Sequence, residues 1–115
     1  MKNNEIVESP YYYDDKEPYK ISLKIETNPD SGGEYLKIYF LIWYDEKSEG
    51  LKWPFTRNVC IQLFNGSGCK VQFQNIEIEK PQNNSCRYSN PFIFKHFTFP
   101  NSTNQKSSYL IICSF

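Results

Sequence analysis

Between residues 19 and 27 the chain reads YKISLKIET, which places Ile21, Leu23 and Ile25 on one side and Ser22, Lys24 and Glu26 on the other. Alternation with period two is the pattern of a strand that is wet on one face and buried on the other. Residues 35–44, YLKIYFLIWY, repeat it with Leu36, Ile38, Phe40 and Ile42, while Tyr39, Leu41 and Trp43 load the opposite face. That second strand is expected to be covered on both sides for part of its length. The link NPDSGG supplies the Pro, Asp and Gly that a turn needs. No alanine occurs in the chain and 17% of it is aromatic, which removes the best helix former and enriches the residues that suit a pleated surface.

Residues 58–64 alternate Val59, Ile61 and Leu63 against Cys60, Gln62 and Phe64, and NGSG joins them to CKVQFQ at 69–74. Two alternating runs across a short Gly/Asn link predict a hairpin, with Cys69, Val71 and Phe73 facing inward. Beyond Phe73 the apolar phase moves to Ile76 and Ile78, as a bulge or a new strand would require. Pro54 stops any continuous strand in LKWPF, and Trp53 is expected to plug the core beside it. PFIFKHFTF and YLIICSF read as later strands. The expectation is an all-β chain: an antiparallel sandwich of about seven to eight strands, with no helix beyond a turn or two.

The chain has 115 residues, enough for a single domain over 1–115, whose first eight residues, polar apart from Met1, Ile6 and Val7, are expected to be flexible. Thirteen basic residues balance thirteen acidic ones, so nothing favours nucleic acid as a partner. The apolar run at 38–44 is far too short to span a bilayer, so no membrane partner is expected. Cys60, Cys69, Cys86 and Cys113 contain no C-x-x-C pair, and His96 is the one histidine, so neither a metal nor another cofactor is expected. Most of the cysteines fall within apolar strand-like runs, which reads as reduced core thiols and a cytoplasmic location. His96 has no evident acid or nucleophile beside it, and no Gly-rich phosphate loop leads into a helix; an enzyme is not expected.

SPYYY, YKISLKI, a Gly-bearing turn, YLKIYFLIW, an acidic loop, LKWPF and a V-x-I-x-L-F strand follow one another in this order. That succession resembles the meprin and TRAF homology (MATH) domain, in the form found at the C-terminus of TNF-receptor-associated factors. The resemblance runs from Ser9 to Phe64, and continues more weakly through NPFIFKHF and YLIICSF. It implies an eight-stranded sandwich that binds short extended peptides of receptor, adaptor or substrate proteins along a sheet edge, by strand addition. It also implies a homo-oligomer, a trimer by analogy, in cytoplasmic signalling or ubiquitin-ligase assemblies. Position by position, Lys24 falls at the family's peptide-binding arginine, Glu26 at a tyrosine, Asp30 at an aspartate and Tyr39 at a phenylalanine. Ser85 stands for the family's serine trio, and Ser89 with Asn90 for a Ser-Gly pair. Lys24 keeps the charge but not the bidentate fork, and Glu26 puts a carboxylate where an aromatic wall stood. The chain is expected to start about where the family's second strand lies, without the first.

Each of these residues also has a plainer reading. Lys24, Glu26 and Asp30 fit a solvated strand face equally well, and Tyr39 fits packing. Tyr11, Tyr12 and Tyr13 ahead of Asp14-Asp15 resemble a modification site and also a strand end with exposed tips. Sequons at Asn65, Asn83 and Asn101 matter only in a secreted protein. Two rival functions follow: an extracellular accessory module of a meprin-like protein, and a structural or oligomerisation sandwich with no peptide groove.

Overall fold

The computed structural model describes residues 5–30, 33–65, 68–95 and 110–114. Nine strands lie in them: β1 (Glu5–Glu8), β2 (Tyr12–Tyr13), β3 (Lys20–Asp30), β4 (Gly33–Trp43), β5 (Phe55–Asn65), β6 (Gly68–Ile78), β7 (Cys86–Tyr88), β8 (Phe92–Phe94) and β9 (Leu110–Ser114). A 3-10 turn, Glu46–Gly50, is the one helical piece among the described residues. Every pairing is antiparallel. The first sheet runs β1-β3-β4-β7, with β2 also on β3 and β8 also on β4; the second runs β6-β5-β9. The chain is thus an all-β antiparallel sandwich, as its alternation requires.

The inward phases meet in one core. Ile21, Leu23 and Ile25 of β3 and Leu36, Ile38, Phe40 and Ile42 of β4 face Val59, Ile61 and Leu63 of β5, with Phe92 and Phe94 closing the side. Each such side chain stabilises the fold by about 1.5–3 kcal/mol through its removal from water. Aromatic rings seal one end: Tyr19 meets Phe55 and Trp53 edge-on at 4.9 and 5.2 Å, and Phe40 stacks on Phe55. Trp53 packs against this core and donates its indole N–H to the Ser48 carbonyl, the plug expected of it. The acidic loop is tightened by a capping box, in which Asp45 accepts from the 3-10 turn and Ser48 reaches back to the Asp45 N–H.

Several expectations are corrected. The β5–β6 register runs unbroken from Phe55↔Ile78 to Asn65↔Gly68, so there is no bulge at Phe73 and no phase change. The inward phase of β6 is Gln72, Gln74, Ile76 and Ile78 throughout. Cys69, Val71 and Phe73 point outward, and Phe73 is 76% exposed. Polar residues serve the inward phase because β6 there faces the flank of β8: the Gln72 amide donates to the Ile93 carbonyl, and Lys70 Nζ to the Lys95 carbonyl at 2.9 Å. The 5–8 segment pairs with β3 from Glu5↔Thr27 to Glu8↔Lys24. All four cysteines are free thiols; Cys60, Cys86 and Cys113 are half-buried, but Cys69 is exposed and is no core thiol. His96 and Asn101 lie outside the described residues.

Candidate functional site

The two outer strands of the first sheet carry the same interruption at the same level. Between Glu8↔Lys24 and Tyr12↔Ile21, three residues (Ser9, Pro10, Tyr11) oppose two of β3. Between Tyr88↔Leu41 and Phe92↔Ile38, three residues (Ser89, Asn90, Pro91) oppose two of β4. Three against two is a one-residue bulge, and a proline that cannot donate to the ladder suits it.

In each case a serine repairs the ladder. Ser9 N–H donates to the Leu23 carbonyl at 2.8 Å and its Oγ accepts the Leu23 N–H at 2.8 Å. Ser89 N–H donates to the Phe40 carbonyl at 2.9 Å and its Oγ accepts the Phe40 N–H at 3.1 Å. Each hydroxyl then donates to the next carbonyl, Pro10 or Asn90. Leu23 and Phe40 are themselves cross-strand partners, so Ser9, Leu23, Phe40 and Ser89 form one row across the sheet.

The bulge leaves part of one edge open. Ser85 accepts from Tyr44 N–H and Ser89 donates to Phe40, so the backbone groups of 85, 87 and 89 turn towards β4. Alternation turns those of Cys86 and Tyr88 away from it, and no described strand pairs with that side. The neighbouring edge of β8 is different, since Ile93 and Lys95 already accept from Gln72 and Lys70. The open backbone thus lies on β7, ahead of β8.

On the outer face next to this edge stands an aromatic cluster. Lys24 is the register partner of Tyr39, and its ammonium sits 5.4 Å from the Tyr39 ring centre. Tyr88, 67% exposed, meets Tyr39 edge-on at 5.8 Å. One row beyond, Trp43 donates its indole N–H to the buried Ser22 hydroxyl, Tyr11 packs edge-on against Trp43, and Lys20 lies 4.4 Å over Tyr11. The Cys86 thiol beside Trp43 is pushed upward in pKa, first by burial and then by the charge of Glu8, with Lys24 opposing.

Of the residues singled out from the sequence, Lys24 and Tyr39 are together and partly open. Glu26 is on the same face two positions along, between Ile6 and Lys37. Asp30 pairs with Gly33 at the far end of β3, about 20 Å from Lys24 along the strand. Ser85 donates its hydroxyl to the Gln82 carbonyl, in a turn where Asn84 takes a positive φ of 61°. Ser89 is buried and its hydroxyl is already bonded twice, while Asn90 is exposed. Cys86 and Tyr88 were missed because CRY is too short to show alternation; the exposed aromatic between two serines is the trace it left.

A sandwich of two antiparallel sheets, with one edge interrupted by a bulge and a ring cluster beside it, defines a domain built for contact with other chains. The chain matches the TRAF/meprin MATH domain over residues 4–109 and belongs to that family. It is 29% identical over 100 residues to TNF receptor-associated factor 5 of Homo sapiens, an alignment that covers 79% of this chain and 17% of that protein. The fold is thus that of a protein-interaction domain related to the TRAF proteins. No helix among the described residues is long and apolar enough to cross a membrane.

Proposed function

We propose that this domain captures an extended segment of another protein along β7, as an added strand whose side chains rest on the Tyr39–Tyr88 cluster. The observation that carries the reading is the pair of outward-facing backbone units at Cys86 and Tyr88, beside an exposed ring that meets Tyr39 edge-on. An incoming strand gains ladder hydrogen bonds from the former and sequence choice from the latter. Lys24, Glu26 and Tyr39 form the floor, Ser85 and Asn90 the rim, and Ser89 holds the frame from within; Asp30 serves only a ligand that extends along the hairpin. Glu8 opposite Lys24 and Glu26 opposite Lys37 leave the floor near neutral, so the preferred segment carries both signs or none. The role is binding without catalysis. By analogy with the receptor-associated relative, the partner is the tail of a receptor or an adaptor of a signalling assembly, and the four free thiols support a cytoplasmic setting.

A displayed library of short peptides tests this. Lys24→Glu combined with Tyr39→Ala is expected to lose capture while shifting the unfolding free energy by less than about 1 kcal/mol, since both side chains lie on the outer face. Tyr88→Pro removes one outward N–H without touching the β4 ladder, and is expected to lose capture too. Capture that survives in both variants sinks the reading.

A further inference from the structure

We propose that the outer face of the second sheet is a self-association surface, occupied by a second copy of this chain in a two-fold contact. Its centre is a grid of three rows across β6, β5 and β9. Phe73 lies beside Cys60 and Ser114, Val71 beside Gln62 and Ile112, and Cys69 beside Phe64. None of these eight residues is charged. Phe73 is 76%, Val71 43% and Ile112 40% exposed. The outer face of the first sheet instead carries Lys20, Lys24, Glu26 and Lys37. Charge depletion around exposed apolar side chains is the mark of an interface centre, not of a solvated face.

The order of sizes within the grid names the occupant. On β6 the large residue is Phe73 and the small one Cys69; on β5 the order is reversed, with Cys60 beside Phe73 and Phe64 beside Cys69. A two-fold axis along the Val71–Gln62–Ile112 row turns each strand end for end. Phe73 of one copy then falls on Cys69 of the other, and Phe64 on Cys60, so large meets small at each place. Val71 meets its own twin. So does Gln62, and two facing amides exchange N–H to carbonyl bonds, so burial costs neither its partners. With no charge in the grid, the rotated copy meets no repulsion. Sheets packed in this way lie about 10 Å apart with nearly aligned strands, the ordinary geometry of a sandwich. Three strands about five residues long bury on the order of a few hundred Å² per copy, short of the roughly 800 Å² of a standard interface. The dimer is therefore weak and concentration-dependent.

Sedimentation equilibrium of the 115-residue chain, from about 10 μM to about 1 mM, tests it. The wild type is expected to move from monomer towards dimer. Phe73→Glu and Cys69→Lys are each expected to weaken the dimer by about tenfold or more. An equimolar mixture of the two is expected to recover it, because the new carboxylate of one copy then faces the new ammonium of the other. Both positions are exposed, so each variant keeps the wild-type urea midpoint. Tyr88→Ala, on the first sheet, leaves the dimer unchanged. A wild type that stays monomeric at about 1 mM, single variants that dimerise like the wild type, or a mixture without recovery each overturn the proposal.

Discussion

A hydroxyl can stand in for a backbone carbonyl only if it is held in place by a bond of its own, and half-buried Ser9 and buried Ser89 both meet that condition. Ser9→Ala deprives the Leu23 N–H of its acceptor, and Ser89→Ala removes a hydroxyl that makes two bonds at a site only 7% exposed. Each is expected to cost about 1–3 kcal/mol, read as a lower urea midpoint at unchanged m-value, with Ser89 the more costly because its site is the drier. The half-buried thiol of Cys113 sets a different dependence. Burial pushes it up to about 11, with Cys60 adding and a hydrogen bond from Tyr12 opposing. A thiol raised in the folded state contributes stability that is complete below the unfolded value of 9.0 and is lost as pH climbs through about 11. The urea midpoint is therefore expected to fall between pH 9 and pH 11, and to fall less in Cys113→Ser, whose hydroxyl does not titrate. Tyr12 and Tyr19, also raised by burial, supply part of the remaining slope. At pH 8 an alkylating reagent is expected to take exposed Cys69 first and Cys113 last.

At the scale of elements, β6 decides between two readings of one alternating run. If Phe73 faced inward, Phe73→Lys would empty a core site; with the phase observed, it changes monomer stability by less than about 0.5 kcal/mol, whereas Ile76→Ala costs about 2–5 kcal/mol. Urea unfolding of the two variants at low protein concentration separates these outcomes. Alternation alone located β3 and β5, because each has one phase plainly richer in apolar residues than the other, and β4 stands out as a run that is apolar on nearly every position. On β6 neither phase is apolar along its whole length. Cys69, Val71 and Phe73 serve one half of one phase, and Ile76 and Ile78 the other half of the other. The rule that apolar means inside fails there because the inward half, Gln72 and Gln74, lies at the flank of β8. Similarly, β1, β2 and β7 are too short for periodicity, and their pairing depends on serine bulges whose partners are distant in sequence. Lys24 and Tyr39 were legible because they sit on long strands. The open edge at Cys86 and Tyr88 was not, because it follows from which neighbour each backbone group faces.

For the whole molecule, the two sheets turn outward faces of different character, one charged and ring-lined, the other uncharged across its central rows and carrying Glu77 only towards the end of β6. Arg57, on the inward phase of β5 at the mouth of the sandwich, ties the two together: it lies over Phe55 and Tyr19 at 5.2 and 5.8 Å and pairs with Glu17 at 2.9 Å. The two proposed contacts lie on different sheets and so work independently, since a dimer through the second sheet leaves both peptide edges free. On a surface dense in a captured peptide, each dimer can then engage two sites, and its effective affinity exceeds that of one domain by mass action alone. Phe73→Glu is expected to leave the affinity for the soluble peptide unchanged, while the apparent affinity for the dense surface falls by about tenfold or more. Tyr39→Ala is expected to lower both together. Titration calorimetry with the free peptide and surface plasmon resonance at high and low peptide density measure the two quantities. A loss of soluble-peptide affinity in Phe73→Glu would mean that the two faces are coupled through the core, and equal surface binding at both densities would mean that no bivalent species forms.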